Sequence, residues 1–296
     1  MHIVIIGAGA VGGYFGALLQ ETGTRVTFVA RGATLEALRT RGLYVHSPQG
    51  SSTVAVNVVE SIEEVAEADA VFLATKTIDG HNLPERLPHG AVLVTTQNSV
   101  EMPAIAIEKY GPSKVVPGVV RSFLVHDGPG EVRFSGGVLS FTFGSVDPGT
   151  KDIVAALSHA LGAAGIKPYV LDDILVDVWA KAMFVTTFGA LGALVNKPMQ
   201  DVRTTYRRDL EALMREVELA GRANGIALPA DVVEESLTFA DQQPAQATSS
   251  MQRDILAGLP NELDAQVGAV MRMAARAGVA VPLHTLIYDT LAHRGD

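Results

Sequence analysis

Cysteine is absent from these 296 residues. That removes disulfides, thiolate metal ligands and cysteine nucleophiles together, and it fits a reducing, cytoplasmic setting. Aromatic residues are scarce at 6%, and tryptophan occurs once. Charged residues reach 19% against 48% hydrophobic, so the chain can fill a sizeable core and is too apolar for disorder. Basic residues are outnumbered, 23 against 32 acidic, for a net charge of -9. A binder of phosphate backbones needs a basic face, so no nucleic-acid partner is expected.

Other motifs are missing too. The eight histidines are scattered without an H-x-x-x-H spacing, so no metal site is expected. There is no G-x-S-x-G elbow and no Walker-type phosphate loop. Residues 3 to 20 carry no charge, like a signal peptide or membrane helix, but no Lys or Arg precedes them. Gly7, Gly9, Gly12, Gly13 and Gly16 interrupt the run. A strand followed by a tight glycine turn explains the same residues better, and no membrane partner is expected.

What is present begins with alternation. His2 to Ile6 is apolar and β-branched, and Ala10 to Glu21 reads as helix. Further β-type runs lie at 25–30, 70–75, 91–96 and 115–120. Strands alternating with helices imply a doubly wound parallel sheet. Residues 124 to 145 read as a hairpin or meander, punctuated by Asp127-Gly-Pro-Gly130 and Gly136-Gly137. A helix over 153–165 and a strand over 167–171 close this half. Beyond it, 172–195, 202–224, 230–240 and 261–277 read as helices, with Pro229 and Pro282 near starts and Gly225 and Gly278 near ends. The expected division is 1–171, an α/β Rossmann domain binding NADP, and 172–296, an all-helical substrate and catalytic domain.

Gly7-Ala-Gly9-Ala10-Val11-Gly12 is a G-x-G-x-x-G placed after a strand and opening a helix, the context of a dinucleotide site. The glycines allow the tight turn, close approach of a pyrophosphate and close helix packing, and the helix N-terminus offers N–H groups and positive charge. An NAD-preferring fold usually carries an acid at the end of the second strand. Residues 24 to 32 contain no acid, and Arg31 stands in that place. A guanidinium there suits a 2′-phosphate, which favours NADP(H).

Lys181 is the single charged side chain between Val178 and Asn196, on a helix expected to be mostly buried. A buried ammonium needs a partner or a function, unless it snorkels to the surface. Thr95-Thr-Gln-Asn98 and Lys76 follow strand ends, where ligands of such sheets bind. Asn98 reads equally as a turn residue and Lys76 as a solvated one.

These residues resemble the ketopantoate reductases (2-dehydropantoate 2-reductases) over nearly the whole chain. The resemblance rests on G-A-G-A-V-G-G at 7 to 13, Arg31, A-T-K at 74 to 76, Q-N at 97 to 98 and W-A-K at 179 to 181. T-S-S-M-Q-R-D-I at 248 to 255, P-N-E-L-D at 260 to 264 and G-V-A-V-P at 278 to 282 complete it. It implies a C-terminal domain like that of 6-phosphogluconate dehydrogenase and a hydride passed from NADPH to a 2-oxo acid carbonyl, in pantothenate and coenzyme A biosynthesis. It implies Lys181 as general acid and Glu262 as active-site carboxylate. Lys76, Asn98 and Ser250 match further cofactor and substrate positions. The partner is then a small 2-oxo acid or ketone, and a homodimer stays open.

The sequence departs from the family pattern at Val185 and Gly189, where asparagines four and eight residues after the lysine are usual. Asn98-Ser99 stands for N-G, and Leu259-Pro-Asn-Glu262 for R-P-T-E. Three alternatives to ketopantoate reduction follow: a related reductase of another 2-oxo acid or ketone, an NADP(H)-binding sensor without catalysis, and an opine-type condensation of an amine with a 2-oxo acid.

Overall fold

The computed structural model describes residues 1–78 and 80–294. It opens with His2–Ile6 (β1), Ala10–Glu21 (α1) and Arg25–Val29 (β2), as the sequence predicts, and continues with Gly32–Arg41 (α2). Leu43–Ser47 (β3), Gly50–Val54 (β4) and Asn57–Val59 (β5) follow, then Ala70–Leu73 (β6), Val92–Thr95 (β7) and Met102–Tyr110 (α3). Val115–Gly128 (β8) and Glu131–Phe143 (β9) form a long antiparallel hairpin, and Lys151–Ala163 (α4) and Lys167–Val170 (β10) come last.

One sheet runs in the order β4-β3-β9-β8-β7-β6-β1-β2-β5, with β10 also on β9. From β8 through β7, β6, β1 and β2 to β5 every pairing is parallel, the Rossmann half of the sheet. Its central strands are β-branched and buried on both faces, as a helix-covered parallel sheet requires. Gly16 lets α1 lie close on that sheet: a Cβ there would sit 2.3 Å from the Phe28 ring.

Two features differ from the sequence reading. The β3–β4 hairpin escaped notice because β4, G-S-S-T-V, is an exposed polar edge strand without hydrophobic alternation. The crossover from β6 to β7 carries no helix among its described residues. Pro84 and Pro88, with Gly80 and Gly90 at positive φ, keep it irregular.

The remainder is helical: Ile174–Val195 (α5), Met199–Thr204 (α6), Arg207–Ala223 (α7), Val232–Gln242 (α8), Ser250–Leu256 (α9), Ala269–Arg276 (α10) and Pro282–Ala292 (α11). The helix predicted over 202–224 is broken at Thr205-Tyr206, and the one predicted over 261–277 begins with a π-helical turn at Asp264–Gly268. The sequence reading had no helix at 250–256. α5 is apolar on all sides and central to its core, beside Leu213, Met214, Val217 and Val270. By length and mean hydropathy of 1.5 it could cross a membrane, but 67% of that stretch is buried in the protein.

The chain forms two compact units. The first comprises Met1–Thr75, Asn82–Gln97 and Pro103–Ile174. The second comprises the chain from Leu175 onward together with two short pieces of the N-terminal half, Lys76–His81 and Asn98–Met102.

Candidate active site

In the first unit, β1 ends at Ile6 and the chain turns at Gly7 with φ of +96°. A Cβ at Gly7 would lie 2.8 Å from the Thr75 methyl, and one at Gly12 only 2.0 Å from the Gly7 carbonyl oxygen. Both positions exclude any side chain. Gly9 is the N-cap of α1, and a Cβ there meets nothing within 4 Å, so the approach to the helix N-terminus is open. The first turn, from Ala10 through Val11, holds no acid. Its N–H groups lack intrahelical partners and face an anion favourably. Thr75 Oγ1 and both amide atoms of Gln97 are buried without a hydrogen-bond partner among the described residues. Arg31 is exposed at the N-cap of α2, just beyond β2, and no carboxylate pairs with it among the described residues. The turn, the open helix end and the unpaired cation fit a dinucleotide phosphate.

The second unit gathers the other candidates. Lys181 projects from α5, and its Nζ donates to Asn98 Oδ1 at 2.6 Å. Lys76 is also brought into this unit, where its Nζ pairs with Asp254 at 2.7 Å. Asp254 is on α9, four residues and one turn beyond Ser250, so the two share a helix face. Ser250 itself is exposed at the first position of α9. The neighbouring Ser249 is the cap, accepting from the Gln252 N–H at 3.0 Å.

Glu262 lies between α9 and the π-turn, 7% exposed. Its backbone is set by Asn261, whose side chain accepts from the Leu263 N–H and donates to the Leu259 carbonyl, both at 3.1 Å. Glu262 Oε1 accepts from the Thr77 N–H at 3.2 Å. Burial pushes its carboxyl above the usual range. The Thr77 N–H and the Lys76 charge pull it back, Asp254 pushes it up again, and Lys181 lowers it further. Glu262 thus senses both lysines and Asp254, which places these groups in one electrostatic neighbourhood.

The two departures on α5 have different structural grounds. Val185 is half-buried, one turn beyond Lys181. Gly189 is filled from outside: a Cβ there would lie 2.6 Å from Ser249 Oγ and 3.0 Å from Met251 Cε. Gly192 meets Gln252 in the same way, at 2.8 Å. This pair of glycines lets α9 pack directly on α5.

Two family models match the chain, "Ketopantoate reductase PanE/ApbA" over residues 3–148 and its C-terminal counterpart over 173–295. The chain belongs to the ketopantoate reductase family. Within that family it is 30% identical to the 2-dehydropantoate 2-reductase of Mesorhizobium japonicum, covering 92% of this chain and 91% of the relative. It is 27% identical to the enzyme of that name from Nostoc sp., covering 97% and 93%. The crystal structure of 2-dehydropantoate 2-reductase from Methylococcus capsulatus superposes with a TM-score of 0.87 at 25% identity, covering 99% and 96%.

The structure also brings in residues that sequence reasoning missed. Asp254 stood inside the T-S-S-M-Q-R-D-I block without a role, and Thr77 contributes only its backbone, which no side-chain signal reveals. Glu101 was also missed. It is an acid in an otherwise apolar stretch, V-E-M, and it is 1% exposed.

Proposed function

We propose that this chain reduces the carbonyl of a 2-oxo acid with NADPH, and that its substrate is ketopantoate (2-dehydropantoate), converted to pantoate in the cytoplasm. The observation that carries this reading is the Lys181–Asn98 contact of 2.6 Å in the unit that also buries Glu262.

The Gly7–Gly12 turn and the N-terminus of α1 would hold the cofactor pyrophosphate, and Arg31 would take the 2′-phosphate. A reduced nicotinamide bound there would supply the hydride for the carbonyl carbon. The Lys181 ammonium faces the carbonyl oxygen, stabilises the negative charge that builds there and gives it a proton, leaving a hydroxyl. Asn98 fixes the direction of the ammonium by accepting one of its hydrogens. Glu262 accepts from the substrate hydroxyl and orients it, while Lys76 and Ser250 complete the polar contacts to cofactor and substrate. A sensor without catalysis has no use for a lysine and a buried carboxylate so arranged, so a reductase accounts for more of the structure.

The test is oxidation of NADPH with ketopantoate against a panel of other 2-oxo acids and ketones, with and without an added amine. Saturable turnover of ketopantoate without amine is expected. An amine requirement would instead indicate reductive condensation.

A second reading, another 2-oxo acid or ketone with a less polar arm, is favoured by one observation. The side chains that replace the family's amides on α5 are apolar or absent, at Val185 and Gly189. Preference for such a compound over ketopantoate in the same panel selects this reading.

A further inference from the structure

Glu101 is 1% exposed, and two guanidinium groups meet its carboxylate. Arg272 Nε donates to Oε2 at 2.7 Å, and Arg276 Nη2 lies 3.1 Å from Oε1. Both arginines project from α10, one turn apart. The residues flanking Glu101, Val100 and Met102, are ordinary core at 4% and 0% exposure. Packing alone would be served by a third apolar side chain, because desolvating a carboxylate is unfavourable even when it is paired. What a paired charge adds over an apolar residue is a fixed direction and register.

The direction matters because of what lies on either side. Glu101 is three residues beyond Asn98 in the segment Asn98–Met102, which belongs to the unit that holds Lys181. Arg272 also donates to the Asp264 side chain at 2.9 Å and to the Asp264 carbonyl at 3.1 Å. Tyr288 donates to the same Asp264 oxygen at 3.0 Å. Asp264 is two residues beyond Glu262. One guanidinium therefore ties the segment that carries Asn98 to the segment that carries Glu262.

We propose that Glu101, through Arg272, is a positioning residue that sets the Asn98 side chain on Lys181 in register with Glu262. This rests on the reading of Lys181 as proton donor. The Glu101 carboxylate is 1% exposed and taken up by the two guanidinium groups, so its role is one of placement. It acts through Asn98, which aims the ammonium, while Arg272 anchors the Glu101 carboxylate beside the turn at Asp264.

The test is a double-mutant cycle in the full-length enzyme with NADPH and ketopantoate, or with the best substrate of the panel. Glu101→Gln keeps shape and removes charge. It should lower kcat about tenfold to a hundredfold, the scale of a small misplacement of a reacting group, with KM for NADPH near its original value. In an Asn98→Ala background the same change should have no further effect on kcat, because Asn98 is the route of its action. Arg272→Gln, at a position 37% exposed, should also lower kcat and serves as the second variant if Glu101→Gln folds poorly. Unchanged kcat in Glu101→Gln and Arg272→Gln, or a Glu101→Gln loss that multiplies with that of Asn98→Ala, would overturn the positioning role. Lys181→Ala run alongside separates the two readings. If it keeps full turnover, the proton-donor reading falls and this inference with it. If it abolishes turnover while Glu101→Gln is silent, only the role of Glu101 falls.

Discussion

Lys181 and Asn98 are 83 residues apart in the chain, and the Lys181 ammonium donates to the Asn98 side-chain oxygen at 2.6 Å. The contact joins the middle of an apolar helix to the loop after β7. It removes the main objection to a half-buried cation, because the charge has a defined acceptor. It also explains why an amide is placed where a turn residue would have served. An amide oxygen orients the ammonium without itself adding a counter-charge.

Removal of that cation should act on chemistry and spare cofactor binding. Lys181→Ala is expected to lower kcat about a hundredfold to ten-thousandfold, the range for a lost general acid. The NADPH dissociation constant, measured by fluorescence titration, should stay close to that of the original protein, since the glycine turn and Arg31 are untouched. A comparable weakening of NADPH binding would mean that Lys181 holds the cofactor and does not donate the proton.

Much of this was legible in the sequence, for physical reasons that differ between residues. The G-x-G-x-x-G announces itself because close approach and a φ of +96° at Gly7 permit nothing else. Lys181 stands out as a lone charge in an apolar helix, but nothing in the sequence singles out Asn98, 83 residues away, as its acceptor. The pairing of Lys76 with Asp254 was not legible, because exposed and half-exposed charges of opposite sign are common and nothing in their spacing of 178 residues marks them. The π-turn after Glu262 was equally hidden: D-A-Q-V-G carries no pattern that separates it from an α-helix. Gly189 read as the loss of a side chain, and only the structure shows Ser249 and Met251 against its Cα.

Arg31 sets cofactor choice in this reading. It is exposed at the N-cap of α2, without a carboxylate partner among the described residues. Arg31→Ala should therefore cause little loss of fold stability. It should weaken NADPH binding about tenfold to a hundredfold, as expected for a lost charged hydrogen bond, and leave NADH binding almost unchanged. Equal losses for the two cofactors would remove the basis for NADP(H) preference.

Glu262 links the site to pH. Its folded-state pKa is raised, chiefly by burial, so the carboxylate takes up a proton more readily in the fold than in the unfolded chain. Such a group contributes stability below its unfolded pKa, and that contribution is lost as pH rises through the folded value. Glu262→Gln mimics the protonated form at every pH. The variant should therefore melt higher than the original protein at neutral pH, with the difference shrinking as pH falls to the ordinary carboxylate range. It should also lower kcat/KM about tenfold to a hundredfold, through loss of a charged acceptor for the substrate. Thermal melts across pH and steady-state rates check the two halves. A variant that melts lower than the original at neutral pH would show that the contact with the Thr77 N–H outweighs the burial of charge.

The α5 departures give opposite expectations at two positions on one helix face. At Gly189 the space is taken, since Ser249 Oγ lies 2.6 Å from an added Cβ. Ser249 also caps α9 by accepting from the Gln252 N–H at 3.0 Å, so displacing it disturbs the cap as well. Gly189→Ala should destabilise the fold by about 1–3 kcal/mol, read from denaturant unfolding. An amide cannot simply be restored there. At Val185 the side chain is half-buried and one turn from Lys181, so an asparagine can be accommodated. If ketopantoate is the substrate and its hydroxyl is bound elsewhere, Val185→Asn should leave its kcat/KM unchanged or lower it. If the site is adapted to a less polar 2-oxo acid or ketone, Val185→Asn should shift the ratio of kcat/KM toward ketopantoate by about tenfold, the discrimination of one hydrogen bond to a substrate hydroxyl. The direction of that shift, measured on two substrates with one variant, distinguishes a ketopantoate site that has moved its hydroxyl partner from one that never had it.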